Sequence, residues 1–340
     1  MNLDNVKSAA FVQKLIPYIP QSLRDIVRFV NARVAYDSTQ YEQTKEAFAR
    51  RDSSVAAKHD IELLRKLHRI FPIPQRGQYS YDDYMSHVKS ATVSLDMMKR
   101  YIPLHGKDLL DVGTGYGGSL VLRDNYGLKS TTGVDGASTK IRFEKMCNML
   151  KLKESKSLQY LTAPSGDFLD VAFGDRQYDI IMSFNCFEHF RYPEKVFKKC
   201  LDLLRPGGYM AFLFGPLFRA PYGAHRFRYT GIPYFQNLFS DELVYRFFKD
   251  ELNVVDEFRD HNNYERDEKA GDPYSEMNRW RASQFEDMFT QNDQARIVKF
   301  VRIKDVQFWW FRKVASKFMM NCPTYDDLTV DSIHIGLQKN

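Results

Sequence analysis

The sequence predicts an α/β fold built on a doubly wound, mostly parallel sheet. Three observations carry that expectation. Short apolar runs alternate with segments of helical period from about residue 101 onward. The first of those runs ends in a glycine-rich turn, DLLDVGTGYGG over 108–118. Finally, 340 residues of which 44% are apolar suffice to bury one large core with chain left over.

Ahead of the alternation, residues 1–100 read as a helical extension or cap. Over 6–34 the residues Phe11, Val12, Leu15, Ile26, Phe29 and Val30 recur at helical spacing, and Pro17 and Pro20 divide the run into two short helices. The pattern resumes over 41–71 with Ile61, Leu64, Leu67 and Ile70 on one side, until FPIPQRG ends it. This extension is expected to pack over the mouth of the domain at 101–340. Strands are expected near 108–112, 130–135, 158–161, 179–183 and 209–214, with helices between them. Two closing strands are expected in ARIVKFVRI and SIHIGLQK, separated by the helical FWWFRKVASKFMM.

Gly113, Gly115 and Gly118 fit G-x-G-x-x-G, a tight strand-to-helix turn that lets backbone approach a ligand. Alone the pattern is weak. It is sharpened by Asp111, two residues before the first glycine, and by Asp135, which ends the next apolar run ~20 residues on, where a ribose-binding carboxylate is expected. A dinucleotide pyrophosphate wants amides without adjacent negative charge, whereas a ligand bearing an ammonium and a sulfonium welcomes Asp111. That favours S-adenosylmethionine over a nicotinamide dinucleotide. The bland alternative is that Asp111 caps a helix and Asp135 only ends a strand.

Further blocks follow in order: Gly166-Asp167 before the fourth strand, NCFEHF after it, and the Leu204-x-Pro206-Gly207-Gly208 turn into the fifth. Together with the glycine turn and Asp135 they resemble the class I S-adenosylmethionine-dependent methyltransferases, firmly over 104–217 and more loosely to 340. The resemblance implies a Rossmann-like, seven-stranded, mostly parallel sheet closed by an antiparallel pair, with a substrate-lid insertion after the fifth strand, here 215–281. It also implies a cofactor site. Gly113, Thr114, Gly115 and Gly117 would surround the methionine part, and Asp111 would reach its amino group. Asp135, beside Gly136, would take the ribose hydroxyls, because a carboxylate accepts two hydrogen bonds and donates none. Asp167 would accept from the adenine amine, the Phe168 backbone would read the ring edge, and Asn185 would lie near the reactive methyl. PYGAH and GIPYFQNLFS resemble a subgroup associated with glycan and natural-product O-methylation.

The insertion is rich in Tyr222, Phe227, Tyr229, Tyr234 and Phe235, interleaved with Arg219, Arg226 and Arg228. Such residues suit a flat, polar, anionic acceptor such as a small molecule or sugar; the alternative is that the aromatics close a small core and the arginines pair with acids. A hydroxyl acceptor needs a general base, and His189 and His225 are the candidates. No metal is expected. Some relatives hold a cation on Glu-x-x-Glu-His at this position, and here Asn185 replaces the first acid, which lowers the charge of any such site. NCFE lacks the paired prolines of methyltransferases that act on nucleobase amines, so nucleic acid is not the expected acceptor.

The formal charge of +6 is modest for this length and does not by itself point to nucleic acid. Cys147, Cys186, Cys200 and Cys322 form no CxxC pair and read as reduced thiols of a cytoplasmic protein. No apolar run approaches ~18 residues. Trp309, Trp310, Phe311, Phe318, Met319 and Met320 beside Lys304, Arg312, Lys313 and Lys317 suit either contact with an anionic membrane surface or packing on the chain's own core. The expected function is S-adenosylmethionine-dependent methylation, most readily of a small-molecule or sugar hydroxyl by in-line displacement. The alternatives are N-methylation, or a non-catalytic partner protein that binds the cofactor without turnover. Asp111, the Glu-His pair and the Leu-x-Pro-Gly-Gly turn argue against a dehydrogenase.

Overall fold

The computed structural model describes residues 37–49, 51, 53–73, 84–163, 166–254, 272–274, 276–321 and 323–340. The helices expected over 6–34, and Cys322, lie outside them. The expected sheet is present with seven strands: β1 Asp108–Val112, β2 Ser130–Asp135, β3 Leu158–Thr162, β4 Tyr178–Phe184, β5 Leu204–Phe214, β6 Ala295–Lys304 and β7 Val330–Lys339. Their spatial order is β3-β2-β1-β4-β5-β7-β6. The first five pair in parallel, and β7 runs antiparallel to both β5 and β6. β5 starts at Leu204, earlier than expected, because Leu204 already pairs with Tyr178; an irregularity between Tyr178 and Ile180 absorbs the extra residues of the Pro-Gly-Gly turn.

Every residue of β1 is buried, as a strand covered on both faces requires. One face carries Leu110, Val112, Ile181, Phe187, Phe212 and Phe214, packed with Phe285 and Phe289 of helix Ala282–Thr290. The other carries Leu109, Ile180 and Met182, covered by Leu95 and Met98 of helix Tyr84–Met98. The chain order reverses between β1 and β4, so the crevice beyond their carboxyl ends is the switch point at which such sheets take ligands.

A separate core joins distant parts of the chain. Leu63, Leu64 and Leu67 of helix Ile61–Ile70 pack with Ile232, Tyr234, Phe235 and Phe239 of the insertion and with Trp310, Phe311 and Phe318 near the C-terminus. The extension and the C-terminal segment take up their places here. The part of the extension over 61–70 buries its apolar face against the insertion, and it is helix Tyr84–Met98 that reaches the mouth of the sheet. Trp310, Phe311, Phe318 and Met319 are turned inward, which agrees with the reading of that segment as packing on the protein's own core. Among the described residues, no helix is long and apolar enough to cross a membrane.

Candidate active site

The turn after β1 is shaped by its glycines. At Gly113 φ is +75°, and an added Cβ would come 2.2 Å from the Cys186 sulfur, so both conformation and space demand glycine. Gly115, at φ +56°, turns its amide onto Asp135. Asp135 Oδ2 accepts from the Gly115 N–H and Oδ1 from the Gly136 N–H, each at 2.7 Å. The Tyr160 hydroxyl donates to the Gly115 carbonyl and meets the Thr139 hydroxyl, both at 2.8 Å. The loop is thus fixed from below by a carboxylate and from the side by a phenol.

Asp111 is buried and accepts a hydrogen bond from the Ser119 hydroxyl. Burial pushes its carboxyl up to about 6, with the charge of Asp135 adding to the rise and the Ser119 and Thr114 hydrogen bonds opposing it. Burial likewise raises Asp135, against its two backbone hydrogen bonds. Two desolvated carboxylates without a cation favour a ligand that brings positive charge.

A cleft of about 410 Å³ opens beside this turn. Of the residues expected at the cofactor site, it brings together Asp111, Gly113, Thr114, Gly115 and Asn185. Gly117, Asp135, Gly136, Asp167 and Phe168 do not line it. They shape the loops around it: Asp167 Oδ1 caps the short turn Phe168–Asp170 through the Leu169 N–H at 2.9 Å, and the Phe168 side chain is buried. Lys199 braces the same turn, donating to the carbonyls of Phe168, Leu169 and Val171 at 3.0, 2.9 and 2.8 Å. Asn185, with φ +53°, is exposed at the cleft, its N–H held by the Leu213 carbonyl at 2.7 Å.

Sequence reasoning missed the opposite wall. His87, Ser90, Ala91 and Ser94 line the cleft from helix Tyr84–Met98, and Arg142 lines it from helix Ala137–Met149. A signal was present, since positions 87, 90, 91 and 94 are spaced i, i+3, i+4, i+7 and form one small, polar stripe. Arg142 lies over the Tyr116 ring at 4.9 Å, and the His87 ring is 4.1 Å from it on centroids.

Beyond Asn185, His189 and His225 meet with ring centroids 4.9 Å apart. His189 Nδ1 lies 2.9 Å from the Glu276 carbonyl, and His225 Nε2 lies 3.2 Å from that of Pro216. Glu188 is 1% exposed; its Oε1 accepts from the Gly215 N–H at 3.1 Å and lies 4.0 Å from His189 Nε2. Burial raises the Glu188 carboxyl. Burial, reinforced by His189, drives His225 down to about 3, so it stays neutral and is a weak base at neutral pH. None of the three lines the cleft itself. The expectation of no metal rested on the missing acid at Asn185. Donor atoms of Glu188, His189 and His225 nevertheless lie within 4.8 Å of one another.

The insertion bears on two alternatives that the sequence left open. Arg226 is buried in an ion pair with Glu276 and donates from Nε to the Pro273 carbonyl at 2.9 Å, so it is committed to structure. Tyr234 and Phe235 are core residues, not an acceptor face. Arg219 forms no ion pair among the described residues; its Nη1 is 3.5 Å from Asn237 Oδ1, and burial together with Arg281 and Arg279 lowers its pKa.

Residues 110–212 match the family model described as a methyltransferase domain. Among curated proteins, the mitochondrial ubiquinone biosynthesis O-methyltransferase of Dictyostelium discoideum is 26% identical over 152 residues, 43% of this chain and 44% of that protein. The ubiquinone biosynthesis O-methyltransferase of Bordetella avium (strain 197N) is 30% identical over 109 residues, 32% of this chain and 43% of that one. The chain spans about half the length of the curated relatives it matches. Among solved structures, coclaurine N-methyltransferase bound to N-methylheliamine and SAH aligns over 97% of this chain and 99% of its own at 14% identity and a TM-score of 0.44. The PH0226 protein from Pyrococcus horikoshii OT3 aligns over 78% and 97% at 13% identity and a TM-score of 0.43.

Proposed function

The chain carries a class I S-adenosylmethionine-dependent methyltransferase domain, and from that premise we propose that it moves a methyl group onto a hydroxyl oxygen of a small molecule or sugar by in-line displacement. The observation that carries this reading is the cleft at the switch point, with a glycine turn along one side, a buried Asp111 lining it and Asn185 at its edge. S-adenosylmethionine fits the chemistry of this cleft: its ammonium answers a carboxylate that burial has destabilised. We assign Gly113, Thr114, Gly115 and Gly117 to the methionine part, Asp135 and Gly136 to the ribose, Asp167 and the Phe168 backbone to the adenine, and Asn185 to the neighbourhood of the methyl.

When bound, this cofactor supplies a methyl already activated on a sulfonium. The chain therefore has to align the acceptor, exclude water and take up one proton. Oxygen is favoured as the nucleophile by the curated relatives, which are named O-methyltransferases, and by the imidazole four residues after Asn185. His189 is assigned the proton at Nε2, with Nδ1 held by the Glu276 carbonyl. The weakly basic His225 is assigned to positioning His189. An anionic acceptor is supported by Arg219, a half-buried guanidinium with two arginine neighbours, which Asp327 opposes through space and which forms no ion pair among the described residues.

Calorimetric titration with S-adenosylmethionine and, separately, with NADH tests the donor. Mass spectrometry of hydroxylated sugars and phosphosugars incubated with protein and donor then tests the transfer. Binding of the sulfonium donor with methyl gain on oxygen is expected. Binding of NADH instead would end the reading, and donor binding with no turnover on any hydroxyl or amine would return the non-catalytic partner.

A further inference from the structure

We propose that Glu188, His189 and His225 form a divalent-cation site that fastens the segment after β5 to the carboxyl end of the sheet. The ligands come from two stretches far apart in the chain. Glu188 and His189 follow β4, and His225 follows β5. Their donor atoms nevertheless lie within 4.8 Å of one another.

Three details favour a cation over a plain polar contact. First, Glu188 is 1% exposed and only half satisfied: Oε1 takes the Gly215 N–H, while Oε2 is buried with no hydrogen-bond partner. A buried carboxylate oxygen left in this state is costly unless something positive answers it.

Second, each imidazole is anchored through its other nitrogen. A neutral imidazole has one N–H and one lone pair, and a carbonyl can only accept. His189 therefore spends Nδ1–H on the Glu276 carbonyl at 2.9 Å, which leaves its lone pair on Nε2, the atom facing Glu188. His225 spends Nε2–H on the Pro216 carbonyl at 3.2 Å, which leaves its lone pair on Nδ1. Fixing the tautomer by a backbone carbonyl is how proteins hold histidines that ligate metals.

Third, the charge of Glu276 is already balanced, while Asp331 adds negative potential at Glu188. Glu276 pairs with Arg226, so the cluster's own net charge is that of one carboxylate. Two imidazoles and a carboxylate suit Zn²⁺ or a similar first-row cation, with coordination positions left for solvent or another oxygen ligand. Bonds of about 2.0–2.2 Å would draw the three atoms inward from their present spacing. Because His225 belongs to the insertion, ion binding would restrain that segment. The existence of the site stands apart from the methyl-transfer reading; only its catalytic consequence rests on that reading, since a cation beside an acceptor hydroxyl lowers its pKa and relieves His189 of the proton.

The test uses the full chain, stripped with a chelator and titrated in a calorimeter with Zn²⁺ and, separately, with Co²⁺ followed by visible absorption. One equivalent of ion is expected, with d–d bands for Co²⁺ and a raised melting temperature. Glu188→Gln keeps the shape of the side chain, and His225→Ala removes the ligand from the insertion. Each is expected to weaken ion binding by about 100-fold or more and to abolish the Co²⁺ bands. S-adenosylmethionine titrated into the same samples reports whether each variant is folded. Absence of ion binding to the wild type, or binding and bands unchanged in both folded variants, overturns the proposal and leaves the methyltransferase reading to its own test.

Discussion

Asp111 is a buried carboxylate whose donor in the ligand-free protein is a neutral hydroxyl, and that has two opposite consequences. Its pKa is raised to about 6 by burial. A cofactor ammonium favours the charged form, so the complex binds fewer protons than the free protein, and affinity is full above about pH 6 and falls as pH drops through it. Calorimetric titration across that interval checks this, and a flat profile would remove Asp111 from the site. For stability the sign reverses. A carboxyl raised in the folded state contributes stability fully below its unfolded value of 3.8, and that contribution is lost as pH rises through about 6. Asp111→Asn is therefore expected to stabilise the ligand-free protein at neutral pH by about 1–3 kcal/mol while losing cofactor affinity. Denaturant melts of both forms at neutral and acidic pH would reveal it. Asp135→Ala removes both loop-holding acceptors, and cofactor affinity is expected to fall by about 10- to 100-fold, as loss of charge-assisted hydrogen bonds implies. Unchanged affinity in folded protein would sink the ribose assignment. These residues were legible because the motif that marks them is local. The pairing of Arg226 with Glu276, 50 residues away in the chain, was not, because no local pattern encodes it.

At the scale of elements, the cofactor turn and the turn at Phe168–Asp170 are held by different devices. The first is fixed by Asp135 and Tyr160. The second is fixed by Lys199, whose ammonium serves three carbonyls while lying 5.0 Å from the Phe168 ring centroid and 5.3 Å from that of Phe173. Lys199→Met keeps the apolar stem and strands the carbonyls, so the turn should loosen without loss of packing. The expected result is weaker binding of adenosine-containing ligands with binding of free methionine unaltered; equal loss of both would make Lys199 a general stabiliser. Helix Tyr84–Met98 gives the complementary lesson. Its small polar stripe acquires meaning only once the strand order puts the switch point beneath it.

For the whole molecule, the sheet was legible because apolar stretches such as YDIIMSF and YMAFLF mark its central strands and glycines mark the turns at 113–118 and 207–208. The second core was not, because its contributors come from three separate stretches of the chain, around 63–67, 232–239 and 310–318, and their apolar faces fit several partners. Helix Ile61–Ile70 covers the insertion from one side, and Phe311 and Trp310 cover it from the other. Arg312 ties the arrangement together, donating to the Tyr234 hydroxyl at 2.6 Å, while that hydroxyl donates to the Leu328 carbonyl at 2.9 Å. Since this core is distinct from the two that cover the sheet, it should open as its own unit. Leu64, 2% exposed, is the residue to cut. Leu64→Ala leaves a cavity worth about 2–5 kcal/mol. If the second core is a separate unit, hydrogen exchange should accelerate over residues 232–248 and 309–318, while the amides of β1, β2 and β4 keep their protection. Cofactor affinity should then hold, because the cleft is built on the sheet. Equal acceleration across the sheet would mean that the two cores unfold as one, and that the insertion is part of the scaffold of the cleft.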